Sequence, residues 1–162
     1  MADQDARAPM TAKGKQRLID ELRRLRSVER PKIVHEIEEA RDHGDLSENA
    51  EFHAAKEKQS LVAAQISEIE DTLARAQVID ISKLSGDKIV FGATVTLADV
   101  DSGEEVVYQI VGDHEAEPKN GKISVSSPIA RSIIGKNAGD EVQVRIPTGT
   151  RNFEILDVDF KD

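Results

Sequence analysis

Asp45 and Glu48 stand three residues apart in the polar stretch Asp42-His43-Gly44-Asp45-Leu46-Ser47-Glu48, flanked on both sides by long apolar periodicities. Two carboxylates on one turn offer hard oxygen donors, which suit a divalent cation such as Mg²⁺ with water completing its shell. The same spacing fits a capping box, with Asp45 as N-cap and Glu48 at the third helical position. Spacing alone leaves both readings open. A zinc set drawn from His43, Asp45, Glu48 and His53 lacks a convincing arrangement of ligands. These histidines, like His35 and His114, read as surface residues. No nucleophile–base pair, phosphate loop or dinucleotide fingerprint is visible. With no cysteine, disulfides, thiolate metal sites and cysteine nucleophiles are excluded.

Two helices must position that turn. After it, Phe52, Ala55, Gln59, Val62, Ile66, Ile69, Leu73 and Ala76 alternate in steps of three and four, a heptad seam with polar residues between. Before it, Leu18, Leu22, Leu25, Glu29, Ile33, Ile37 and Ala40 make a second seam with a stutter in the middle. Pro31 sits in that stutter and predicts a kink or short interruption near residues 27–31. Gly44 suits a left-handed stop for the first helix, and Asp45 or Ser47 an N-cap for the second. Helices over about 11–43 and 47–77, joined by so short a turn, run antiparallel. The hairpin is then roughly 45 Å long at about 1.5 Å per residue.

The rest of the 162-residue chain is built differently. Eight of ten glycines and three of five prolines lie in residues 80–162, where short alternating segments replace the heptads. These predict about five strands, over 89–100 with a break or bend at Gly92, 104–111, 122–126, 141–146 and 152–160, and one short helix over Pro128–Ile134. The fold class is α+β: an N-terminal antiparallel coiled-coil hairpin over 11–79 with its tip at 43–48, a linker over 80–88, and a small domain over 89–162. Residues 1–10 are expected to be unstructured. Net charge is −9, and aromatics are only 3 %, as suits a chain whose first half is an arm with a seam. The acidic balance argues against clamping free nucleic acid. The charge is segregated: residues 13–32 carry net +5 and residues 33–71 net −8. No apolar run approaches the ~18 residues of a membrane span and no signal peptide opens the chain, so a cytoplasmic protein is expected.

The stretch Ala40-Arg41-Asp42-His43-Gly44-Asp45-Leu46-Ser47-Glu48-Asn49-Ala50-Glu51-Phe52-His53-Ala54-Ala55-Lys56 resembles the tip of the Gre transcript cleavage factors of bacterial RNA polymerase. The likeness continues through Arg30-Pro31-Lys32-Ile33, Phe91-Gly92-Ala93-Thr94-Val95, Ile110-Val111-Gly112-Asp113 and Ile123-Ser124-Val125-Ser126-Ser127-Pro128-Ile129-Ala130. The resemblance implies an FKBP-like C-terminal domain that docks at the rim of the polymerase secondary channel, partly through Ser127 and Pro128. It implies a coiled coil that enters the channel and stimulates cleavage of backtracked nascent RNA at its 3′ end. The acidic tip pair of the family matches Asp45 and Glu48, which would help hold a second Mg²⁺ and its water in the polymerase active site. Arg41 and Lys56 match an arm patch that contacts RNA. The factor would be monomeric, bind no Mg²⁺ by itself and have no activity of its own.

A Gre-like regulator that occupies the channel and inhibits, without stimulating cleavage, is the main alternative, although such paralogues depart from the Gly-Asp-Leu-x-Glu-Asn-Ala tip kept here. A prolyl isomerase would need an aromatic-lined pocket, and the second half offers only Phe91, Tyr108, Phe153 and Phe160. A purely structural coiled-coil adaptor would leave the tip acids with no role beyond capping.

Overall fold

The computed structural model describes residues 6–44 and 48–161. Asp45, Leu46 and Ser47 lie outside them. The chain divides into two compact units, one built on Lys15–Ala76 and the other on Arg7–Gly14 with Gln77–Asp162.

The first unit is a helical hairpin. Its first arm runs α1 (Ala12–Arg24), a π-helical turn (Leu25–Glu29) and α2 (Arg30–Asp42); its second arm is α3 (Ala50–Ala74). The seam follows the heptads as far as Ile66; at the foot of α3 the buried residue is Thr72, one place before the expected Leu73, and Ala76, expected to end the seam, opens a strand instead. Leu25, Ile33, Ile37, Ala40, Ala55 and Ile66 are buried, and Ile33, Ile37 and Ala55 form a small core with Phe52 and Val62 packed against it. The expected interruption takes the form of the π turn. Pro31 has no N–H to give to the carbonyl of Ser27, so an uninterrupted α-helix would leave that acceptor unpaired. The helix under-winds just upstream: Arg30 N–H bonds back to the Leu25 carbonyl, and Pro31 falls in the first turn of α2, where its missing N–H matters least. The same under-winding keeps Leu25 and Ile33 on one face across the stutter. Surface ion pairs cross the hairpin from Arg26 to Glu70 and from Lys58 to Glu36.

The second unit is a five-stranded sheet in the order β5-β4-β3-β7-β6, with β3 Thr94–Asp99, β4 Glu105–Val111, β5 Lys122–Ser124, β6 Glu141–Ile146 and β7 Gly149–Asp159. All pairs are antiparallel except β4 and β5. Strict alternation along β3 sends Val95, Leu97 and Asp99 inward. Helix α4 (Pro128–Ile133) covers the inner face with Ala130 and Ile133, both fully buried, against Val144, Phe153 and Ile155. The turn after β3 is set by Asp99, whose Oδ1 accepts the N–H of Asp101 and Ser102, while Oδ2 pairs with Arg151 at 2.6 Å.

Three expectations change here. Residues 8–10 are not unstructured: Ala8–Thr11 form β1, which pairs with β2 (Ala76–Ile79) and buries Met10. Backbone pairing with a distant strand ordered a segment whose local composition promised little. The segment 80–88 is not a loose linker, because Ile81 is buried in a 3₁₀ turn capped by Asp80. Residues 89–91 do not extend β3. Gly92, at φ +89°, turns the chain there, and a Cβ on it would meet Ile81 at 2.9 Å.

Candidate functional site

The hairpin tip is assembled from the two helix ends. α2 finishes at Asp42, with the His43 N–H returning to the Ala40 carbonyl at 3.2 Å, and Gly44 follows at φ +115°, a conformation glycine adopts freely. On the other side α3 begins at Ala50, not near 47, and its N-cap is Asn49. The Asn49 Oδ1 accepts the Phe52 N–H at 3.0 Å, and its Nδ2 donates to the Ala40 carbonyl at 2.6 Å. One side chain thus closes the start of α3 and ties it to the end of α2. The cap expected at Asp45 or Ser47 is supplied instead by Asn49. The signal was there, since Asn is a strong N-cap and Phe52 lies three residues on.

This cap position decides the capping-box question for Glu48. With Asn49 as N-cap, Glu48 precedes the helix and cannot be its third residue, so the capping-box role falls away. Glu48 is exposed and lines an open concavity of about 390 Å³ with His43, Asn49, Ala50 and Glu51. Asp45 lies outside the described residues. The His43 Nδ1 stands 3.4 Å from a Glu51 carboxylate oxygen. Among the described residues no three His, Asp or Glu side chains converge where they could hold a metal ion. The Glu48 carboxylate is a hard oxygen donor, the type of group that divalent cations take.

Arg41 and Lys56 sit on the two facing helices and are both exposed. The Arg41 guanidinium lies 6.0 Å from the Phe52 ring centroid, the outer range of a cation–π contact. Lys56 donates to Gln59 Oε1 at 3.0 Å. Phe52 is half-buried in the seam, its ring edge-on to His53 with centroids 5.7 Å apart.

Ser127 and Pro128 belong to the sheet unit. Ser127 is the N-cap of α4: its hydroxyl accepts the Ala130 N–H at 3.3 Å, and Pro128 takes the next position, exposed. The structure therefore gives Ser127 a capping role and leaves the Pro128 ring at the surface.

Over residues 84–160 the chain matches the family described as Transcription elongation factor, GreA/GreB, C-term, and over residues 8–78 the one described as Transcription elongation factor, N-terminal. It is 61 % identical over 155 residues to the transcription elongation factor GreA of Hyphomonas neptunium, covering 96 % of this chain and 99 % of that one. Identity to the GreA of Phenylobacterium zucineum is 59 % over 154 residues, covering 95 % and 98 % of the two chains. Among solved structures, the GreA factor homolog 1 protein of Thermus thermophilus is 29 % identical, covers 94 % of this chain and 98 % of that chain, and superposes with a TM-score of 0.43.

Proposed function

The chain belongs to the GreA/GreB family of transcription elongation factors, and on that premise we propose that it acts on RNA polymerase through its hairpin tip. In this reading the sheet unit docks at the rim of the secondary channel, using Ser127 and Pro128. The hairpin enters the channel as a monomer and brings Asp45 and Glu48 to the active site, where backtracked RNA is cleaved. The factor contributes ligands to the polymerase's own reaction and has no independent activity. No helix among the described residues is long and apolar enough to cross a membrane, and we assign the protein to the cytoplasm, with its polymerase.

The observation that supports a chemical role for the tip is the N-cap at Asn49. It removes the capping-box explanation of Glu48 and leaves that carboxylate exposed ahead of the helix. Asp45 and Glu48 are hard-oxygen donors that fit Mg²⁺ shared with the polymerase. When bound, Mg²⁺ supplies activation of water and charge stabilisation at the leaving oxygen. Asp45 would be the ligand carboxylate, and Glu48 would accept a hydrogen bond from the attacking water and orient it. Arg41 and Lys56 would contact phosphates of the extruded RNA, a charge-assisted and salt-sensitive contact.

The test is RNA cleavage in a halted elongation complex. Asp45→Ala and Glu48→Ala should bind polymerase like the parent yet reduce stimulated cleavage by about 100-fold. Undiminished cleavage by both variants would remove the tip acids from the mechanism. A parent protein that slows elongation without stimulating cleavage would establish the inhibitory alternative.

A further inference from the structure

Asp113 lies at the start of the 3₁₀ turn Asp113–Glu115, directly after β4. Its Oδ1 accepts the hydroxyl of Ser124 and, at 2.8 Å, the hydroxyl of Ser126. The two hydroxyl oxygens are 2.8 Å apart, and the Ser126 N–H donates to Ser124 Oγ at 3.1 Å. The Ser127 N–H then closes onto the Ser124 carbonyl at 2.9 Å, and Ser127 caps α4. The chain from the end of β5 to Pro128 is therefore shaped by one carboxylate eleven residues upstream of Ser124.

We propose that Asp113 is a positioning residue for polymerase docking, holding Ser124 and Ser126 so that Ser127 and Pro128 are presented in one fixed conformation. This rests on the reading that Ser127 and Pro128 touch the polymerase. The physical reason is preorganisation: a loop already held in its bound shape does not lose conformational freedom on association. The Ser124 and Ser126 hydroxyls also keep the Asp113 carboxyl below its ordinary pKa, as hydrogen bonds to the charged form do.

The test uses the full chain and halted elongation complexes. The factor concentration for half-maximal cleavage is measured, together with the cleavage rate at saturation, for Asp113→Ala, Asp113→Asn, the double variant Ser124→Ala/Ser126→Ala, the triple variant and Pro128→Ala. Asp113→Ala should raise the half-maximal concentration by about fivefold or more while the saturated rate stays within about twofold. Asp113→Asn keeps an acceptor oxygen and should recover most of the loss. The triple variant should be no worse than the serine double variant, since all three side chains act as one unit.

If Asp113→Asn is as impaired as Asp113→Ala, the carboxylate charge is itself what the partner recognises, and the positioning role is overturned. Additive losses in the triple variant overturn it too. If Pro128→Ala weakens docking while Asp113→Ala does not, the inference fails and the docking reading stands. If Pro128→Ala leaves docking unchanged, the docking reading fails and the inference with it. Should Asp113→Ala melt below the assay temperature, Ser126→Ala, which removes one exposed hydroxyl, carries the same comparison.

Discussion

A Cβ on Gly14 would stand 2.2 Å from the carboxyl carbon of Glu115. Gly14 lies in the first turn of α1 with ordinary helical torsions, so its need for glycine is one of space. The Glu115 carboxylate fills that space because it is pinned from several sides: it accepts the Thr11 N–H at 3.1 Å, the Thr11 hydroxyl, and the Gly112 N–H at 2.9 Å. The Thr11 hydroxyl oxygen in turn accepts the Gly14 N–H at 3.0 Å. An alanine can be accommodated only if Glu115 lets go.

Gly14→Ala should therefore destabilise the protein by ~1–2 kcal/mol, even though the change in a helix interior is worth up to about 1 kcal/mol of favourable propensity. Urea unfolding measures this. In Glu115→Ala the obstacle is gone, and adding Gly14→Ala to that background should be neutral or stabilising. Equal effects in both backgrounds would show that the two residues do not interact.

Asn49→Ala removes both the α3 cap and the bond to the Ala40 carbonyl, and should cost ~1–2 kcal/mol. The loss should appear locally, as faster hydrogen exchange at the Phe52 amide and its neighbours. Asn49→Asp keeps the cap but loses the donor to Ala40, so it should retain Phe52 protection while loosening the α2 end.

Leu25 and Arg26 are adjacent on the π turn but face opposite environments. Leu25 is 2 % exposed in the seam, whereas Arg26 pairs with Glu70 at the surface, each side chain nearly half exposed. Leu25→Ala should cost ~2–4 kcal/mol, and Arg26→Ala under about 1 kcal/mol. Thermal unfolding of the pair measures the contrast, and similar losses would contradict this assignment of faces.

Asp99 titrates below its ordinary value. Hydrogen bonds from Arg151 are the main cause, followed by the N–H groups of Ser102 and Asp101. A carboxylate that binds protons less readily folded than unfolded stabilises the fold above its unfolded pKa of about 3.9 and loses that contribution as pH falls through the lower folded value. Between roughly pH 5 and 2, parent stability should fall more steeply than that of Asp99→Asn, as read from urea midpoints at each pH. Parallel pH profiles would mean that the Arg151 contact is not maintained in solution.

The buried seam residues from Leu25 to Ala40 and from Ala55 to Ile66 were legible from spacing, because which face of a helix is buried depends on neighbours three and four residues away; the shift to Thr72 at the foot of α3 was not. The disruption before Pro31 was legible for the same local reason, though not its π form, which depends on what the second arm requires Leu25 and Ile33 to face. The strands β3 to β7 were visible in alternation and turn residues. The parallel pairing of β4 with β5 was not, and neither was the pairing of β1 with β2.

The sequence by itself determined the two-part architecture, the acidic turn, and the family, since these are carried by residue types and short spacings. The tip holds several cap-forming residues; the structure uses Asn49, whose side chain bonds both the Phe52 N–H and the Ala40 carbonyl, and so leaves Glu48 outside α3. Only the tertiary structure could bring Glu115 to Thr11 and Gly14, about a hundred positions away in the chain, or Asp113 to Ser124 and Ser126. Contacts between distant segments depend on how the whole chain closes, and no local pattern records which donor meets which acceptor.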